Sequence, residues 1–204
     1  LIDPLVARAA AEGWRTYLLG AAPGVAELAA ERWRARHPLL QIVGIDCPRI
    51  DLSRPRAERA DVLQRCRAAR PDLVLLALGG IGEIGMNCYC YGVGAADDRE
   101  WLMVDLGVKF GEASEPGIDV VLPDVSFIAG DRRNLSGLVL THAHEDHLGA
   151  VAWLWPQLRC PVYCTPFAAQ ILALKLKEAG LDEDVPVKFM PTGSRFKLGP
   201  FDLE

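Results

Sequence analysis

Three of the four histidines in this chain fall within six residues, in the segment Thr141-His142-Ala143-His144-Glu145-Asp146-His147. The segment directly follows an apolar run, Leu138–Leu140, that reads as a strand. This constrains the fold strongly, because side chains of an α/β sheet converge on a cleft at the ends of its strands. Alternation along an extended chain sends His142 and His144 to one side, where both can reach a single ion. Asp146 and His147 lie on the turn into the next helix and can serve a second position close by. Three imidazoles this close would repel one another once protonated unless a cation organised them. Paired metals held in this way activate a bridging water for hydrolysis. The plainer alternative is a polar loop whose histidines cap the following helix.

The rest of the chain is read in two styles. The first part alternates helix and strand: a helix over Asp3–Glu12 with Pro4 in its first turn, a strand over Arg15–Gly20, and a helix over Val25–Arg36 stopped by His37-Pro38. Gln41–Ile45 is the next strand, Pro55–Ala69 the next helix and Leu73–Leu78 the third strand. A β-α-β-α-β order of this kind predicts a parallel, Rossmann-like sheet. From Gly80 strands come in quick succession. Met86–Gly92 and Glu100–Asp105 form an expected hairpin around Gly94–Arg99, and a long loop with Gly111, Pro116, Gly117 and Pro123 follows. Leu148–Trp155 and Phe167–Ala179 read as helices, with strands at Val162–Cys164, Pro186–Met190, Arg195–Leu198 and Phe201–Glu204.

Charge changes where the pattern changes. Residues 1–79 hold twelve Arg, no Lys and nine acidic residues, a net of +3, whereas residues 80–204 hold five Arg, five Lys and eighteen acidic residues, a net of −8. The overall −5 argues against a broad nucleic-acid-binding surface. No stretch approaches the ~20 apolar residues of a membrane span. Six cysteines contain no CxxC pair, and Cys88 and Cys90 fall on one face of a strand, so all six are expected to be reduced structural thiols of a cytoplasmic protein. The first residue is Leu and no signal peptide precedes the first helix, so the chain is expected to be a fragment or to have lost its start. Gly79 to Gly85 contains a Gly80-x-Gly82-x-x-Gly85 spacing, but β-branched and aromatic residues follow it instead of a helix. Tight turns beside the cleft are expected there, not a phosphate loop.

The HxHxDH pattern after a strand is the signature of the metallo-β-lactamase superfamily. Together with LGGIGEIGMNCYCYG, WLMVDLGVKF, PGIDVVLPDVSFI and LTHAHEDHLGAV, it makes residues 79–204 resemble the N-terminal part of the ribonuclease J family, a β-CASP branch of that superfamily. The resemblance implies two zinc ions, one held by His142 and His144 and the other by Asp146 and His147. It also implies that Asp105, ending the strand WLMVD, orients the site from behind the ligands; the plainer alternative is a strand-end turn acid. Asp105 and Asp146 are the catalytic candidates, and RNA is the implied partner. The family's further ligands, its RNA-gripping domain and its C-terminal domain lie beyond this text, and no histidine follows His147. With two ligands per ion, the chain alone is expected to bind metal weakly and to lack nuclease activity.

Residues 4–79 resemble something else. GWRTYLLGAAPGVAELAAERWRARHPLLQIVGI and RCRAARPDLVLLALG are similar to the C-terminal half of the WecG/TagA/CpsF glycosyltransferases. This family is understood to move an N-acetylmannosamine-type sugar from UDP onto a lipid-linked acceptor. Gly20–Gly24 opens onto a helix whose amides could meet a nucleotide phosphate, or is an ordinary βα turn. The half that would carry the catalytic aspartate is absent, and the text turns into GIGEIGMN after the shared stretch Leu73–Gly80.

The expected architecture is therefore α/β: a Rossmann-like βαβαβ piece over residues 1–79, then a truncated metallo-β-lactamase (αββα) domain over residues 80–204. The leading functional expectation is a fragment of a zinc-dependent ribonuclease. The alternatives are a fragment of a UDP-N-acetylmannosamine-type glycosyltransferase, or a non-catalytic chimera of two truncated enzymes. Self-association through unpaired sheet edges is also expected.

Overall fold

The computed structural model describes residues 2–47, 57–80, 85–112 and 116–204. The chain divides into two compact units, Leu1–Ala77 with Tyr91–Arg99, and Leu78–Cys90 with Glu100–Glu204.

The first unit begins with α1 (Ile2–Glu12), β1 (Arg15–Gly20), α2 (Val25–Arg36), β2 (Gln41–Asp46), α3 (Ala57–Ala68) and β3 (Leu73–Gly79). Both β2 and β3 pair parallel with β1, which lies between them. The core forms where α1 and α2 lay small residues, Val6, Ala9, Ala26 and Ala30, against Leu18 of β1 and Leu75 of β3. Alanines allow close approach of helix to sheet and cost no rotamer entropy on burial. Pro38 ends α2 by disfavouring the helical region for His37, whose φ of −130° and ψ of 80° are non-helical. The Pro55 start expected for α3 lies outside the described residues, as do residues 81–84 of the glycine run.

The second unit continues with β4 (Cys88–Val93), whose first three residues belong to it, and β5 (Glu100–Val104). Next come β6 (Lys109–Phe110), β7 (Val120–Val121), α4 (Ser126–Gly130), β8 (Leu135–Leu140), α5 (Glu145–Leu148) and α6 (Val151–Leu158). The last elements are β9 (Val162–Cys164), α7 (Pro166–Glu178), β10 (Val187–Phe189), β11 (Phe196–Leu198) and β12 (Phe201–Leu203). Strand order here runs β4-β5-β8-β9-β10, with β5, β8, β9 and β10 all parallel. Leu138 stands opposite Val162, and Leu140 opposite Cys164. Near-continuous burial of β5 and β9 matches a parallel sheet covered on both faces. A hairpin of β11 and β12 and a short antiparallel pair of β6 and β7 stand apart from this sheet.

Two local expectations change. The helix expected over Leu148–Trp155 is two helices, α5 and α6. The break has a hydrogen-bonding cause: the Ala150 amide leaves the helical ladder and donates to the Leu106 carbonyl at 3.0 Å. The long loop after β5 carries β6, β7 and α4. Here Phe127 packs edge-on to Trp101, with centroids 5.2 Å apart, and Ile128 is fully buried. Both contacts depend on partners distant in sequence, which periodicity does not register. All six cysteines are free thiols, five of them buried. No helix among the described residues is long and apolar enough to cross a membrane.

Candidate metal centre

Two adjacent parallel strand ends create the site. Val104 of β5 pairs with Val139 of β8, so the chain leaving β5 at Asp105 meets the chain leaving β8 at Thr141. Asp105 is 2 % exposed and holds φ at +61°, the left-handed region. Aspartate tolerates that region better than most residues, and a buried non-glycine residue there is a strained position held by its surroundings. Those surroundings are polar. The Asp105 amide donates to the Val139 carbonyl at 2.8 Å. Its Oδ1 accepts from the Thr141 amide at 2.8 Å and from the Thr141 hydroxyl at 3.0 Å.

Oδ2 of the same carboxylate accepts from His147 Nδ1 at 2.8 Å. An imidazole that donates from Nδ1 presents its Nε2 lone pair outward, so the contact sets both ring orientation and tautomer. His147 Nε2 lies 3.3 Å from Asp146 Oδ2. The main chain fixes that arrangement. Leu106 donates to the His147 carbonyl at 2.7 Å, Val108 to the Glu145 carbonyl at 3.0 Å, and Asn87 to the Asp146 carbonyl at 2.9 Å. Gly107 lies so close to this turn that a Cβ on it would stand 1.7 Å from the Asp146 oxygen, which excludes every side chain.

His142 and His144 complete the group. The ring of His142 lies 4.6 Å from that of His144 and 3.8 Å from that of His147, centroid to centroid. Partial burial, and then the neighbouring His147 and His144, push the His142 pKa below its ordinary value, against the opposing pull of Asp105 and Asp146. His144 is the N-cap residue of α5, but its side chain makes no capping hydrogen bond. The helix-capping alternative thus leaves the His144 imidazole without a role.

All five residues singled out in the sequence, Asp105, His142, His144, Asp146 and His147, come together in the second unit. Sequence reasoning missed Asn87, whose Nδ2 touches both Asp146 and His147, and the bridging hydroxyl of Thr141. The sequence offered no signal for Asn87 beyond an amide one residue before an otherwise apolar strand, which does not single it out.

Whether the donors suit a metal can be tested on their spacing. Ligands roughly 2.0–2.1 Å from a tetrahedral zinc stand about 3.3–3.4 Å from one another. The pair formed by Asp146 Oδ2 and His147 Nε2 has that separation. A carboxylate behind the imidazole is the usual support of a metal-binding histidine. Among the described residues, no three His, Cys, Asp or Glu side chains close around one point. The residues present therefore fit an ion held from two sides, not one enclosed.

The model of the Metallo-beta-lactamase superfamily matches residues 84–194, more than half of the chain. The chain belongs to that superfamily. Its curated relatives include Ribonuclease J of Sinorhizobium meliloti, 48% identical over 133 residues that make up 65% of this chain and 24% of that protein. Ribonuclease J 1 of Streptococcus pyogenes is 42% identical over 116 residues, 57% of this chain and 20% of the relative. Ribonuclease J 2 of Staphylococcus aureus is 37% identical over 114 residues, 56% of this chain and 20% of the relative. The chain thus spans about a fifth to a quarter of the length of these relatives. A second family model, the Glycosyl transferase WecG/TagA/CpsF family, matches residues 1–82. Both resemblances read in the sequence, to ribonuclease J and to these glycosyltransferases, are present in the one chain. Membership in the metallo-β-lactamase superfamily and the ribonuclease J relatives together indicate metal dependence.

Proposed function

We propose that the second unit is part of a zinc-dependent ribonuclease that hydrolyses RNA phosphodiesters; the relatives it resembles are named as ribonucleases. One observation carries the reading: Asp105 Oδ2 holds His147 Nδ1, turning Nε2 out beside Asp146 Oδ2 at 3.3 Å. In this reading Asp146 and His147 serve one zinc ion, and His142 and His144 serve a second. Zinc bound there supplies water activation and stabilisation of developing charge. The chain's own groups do the positioning. Asp105 fixes the His147 ring and tautomer, and the Thr141 hydroxyl donates to Asp105 beside them.

The proposed division is a glycosyltransferase-like α/β segment over residues 1–79 and a partial metallo-β-lactamase domain over residues 80–204, acting in the cytoplasm on RNA. Two protein ligands per ion hold zinc poorly, so these 204 residues alone bind it weakly and cleave no RNA. The exposed edge strand β10, with Phe189 66% exposed, supports self-association. Zinc titration against a chromophoric chelator tests the reading. Binding that disappears in His142→Ala and His147→Ala supports it. Wild-type affinity in both variants sinks it.

A second reading rests on the match of residues 1–82 to the glycosyltransferase family. It assigns the first unit to a UDP-sugar enzyme. In the structure the Gly24 amide at the start of α2 donates to Glu27 Oε2 at 3.0 Å, so a carboxylate of the chain itself already meets that amide. Saturable UDP-sugar binding unaffected by zinc would favour this second reading; neither activity, with aggregation, would favour a non-catalytic chimera.

A further inference from the structure

We propose that Asn87 is a positioning residue for the Asp146–His147 pair, holding the Asp146 carboxylate beside the His147 ring in the relation that a shared cation requires. The inference rests on the metal reading given above. Asn87 sits one residue before β4 and is 9% exposed. Its Nδ2 donates to the Asp146 main-chain oxygen at 3.0 Å and to Asp146 Oδ2 at 3.1 Å, and lies 3.2 Å from His147 Nε2. Its Oδ1 accepts from the Tyr89 hydroxyl at 3.1 Å. These partners decide which end of the amide is which. Turned over, the carboxamide oxygen would face two oxygens of Asp146, which have no hydrogen to offer. Both main-chain groups of Asn87 are engaged as well: its amide donates to Asp146 O, and its carbonyl accepts from the Gly107 amide at 3.0 Å.

The residue is therefore tied through three groups to the two chain segments that carry Asp105 and His147, and through Oδ1 to Tyr89 of β4. An amide nitrogen has no lone pair to give a cation, so Asn87 acts on the ligand atoms and not as a ligand through Nδ2. Asp105 and Asn87 divide the task. Asp105 grips the Nδ1 side of the ring, whereas Asn87 faces the Nε2 side and is the contact that also reaches the Asp146 carboxylate. Tyr89 stands one step further back and holds the amide from turning.

The 204-residue chain, its Asn87→Ala variant and its Tyr89→Phe variant would be compared by zinc competition against a chromophoric chelator. Cobalt(II) absorption would report the geometry of the bound ion, and thermal melting would report the fold. Expected are a 10- to 100-fold loss of zinc affinity and altered cobalt bands in Asn87→Ala, the range seen when outer partners of metal ligands are removed. Tyr89→Phe should give a smaller loss in the same direction at an unchanged melting point. Wild-type affinity and cobalt bands in a folded Asn87→Ala protein would overturn the proposal. Should Asn87→Ala not fold, Tyr89→Phe decides, and no change in its zinc affinity counts against the proposal. Failure of the wild-type chain to bind zinc would instead overturn the metal reading. The positioning role is then read from the His147 ring protons. One sharp set in the wild type that broadens or splits in the variants supports it, and identical ring spectra overturn it.

Discussion

Asp105 Oδ2 and His147 Nδ1 stand 2.8 Å apart, although 41 residues of chain lie between them. The contact joins the end of one parallel strand to the helix that follows the next. It also places a buried carboxylate in the left-handed region at φ +61°. A residue that tolerates this backbone and also offers two acceptor oxygens is required here, and aspartate meets both conditions.

Replacing Asp105 separates those two requirements. Asparagine keeps the tolerance for positive φ but loses one acceptor, so Asp105→Asn should fold and bind zinc about 10- to 100-fold more weakly. Alanine keeps neither, and Asp105→Ala should in addition lose about 1–3 kcal/mol of stability from backbone strain and from orphaned donors on Thr141 and His147. Chelator competition and urea unfolding of both variants check this. Equal stability of the two would show that the strain argument is wrong.

Gly107→Ala should be among the most damaging small substitutions in the chain. Its methyl group would be driven against the Asp146 oxygen at 1.7 Å, and that atom is main chain that cannot rotate aside. A loss of roughly 3 kcal/mol or more is expected, together with displacement of Asp146 and His147. Denaturant midpoints and the His147 ring resonances would report the two effects.

The first unit offers a stabilising change. Thr16 in β1 is fully buried, and its hydroxyl has no hydrogen-bond partner among the described residues. Thr16→Val keeps the shape and removes the unpaired group, so it should raise stability by about 1 kcal/mol. A drop in the urea midpoint would mean that the hydroxyl does find a partner in solution.

Acid stability should depend on Asp46. Burial alone would raise its pKa, but hydrogen bonds from Arg65 and Tyr17, with the charge of Arg65, outweigh burial and hold the carboxyl below its ordinary value. Arg65 Nη2 donates to Asp46 Oδ1 at 2.7 Å, and the Tyr17 hydroxyl donates to Oδ2. A depressed folded pKa gives stability that is complete above the unfolded value, roughly 3.9, and is lost as pH falls from there through the folded value. In Asp46→Asn this acid-side slope should flatten. A stability profile between pH 5 and 2 with the same slope in both proteins would refute the assignment.

Local signals were legible in the sequence to different degrees. The bounds of β1, α2 and β9 fall where apolar runs and the His37-Pro38 stop put them. The expected helix at Leu148 was split because the Ala150 amide bonds to Leu106, a partner 44 positions earlier that no window along the chain includes. Asn87 escaped notice for the same reason, since one amide before a strand says nothing until the strand's neighbours are known.

The sequence by itself determined the superfamily, the alternation of helix and strand, and the set of titratable residues at the end of β8. These are properties of short segments, set by side-chain type and by periods of two and 3.6 residues. Only the tertiary structure decided which atoms face one another. Parallel pairing of β5 with β8 brings Asp105 to Thr141 and His147. The bare Cα of Gly107 lets the turn at Asp146 close, and the Asn87 amide meets the ligand atoms from across the site. Such contacts depend on register between distant segments, and register is fixed by the burial of the whole sheet rather than by any residue within it.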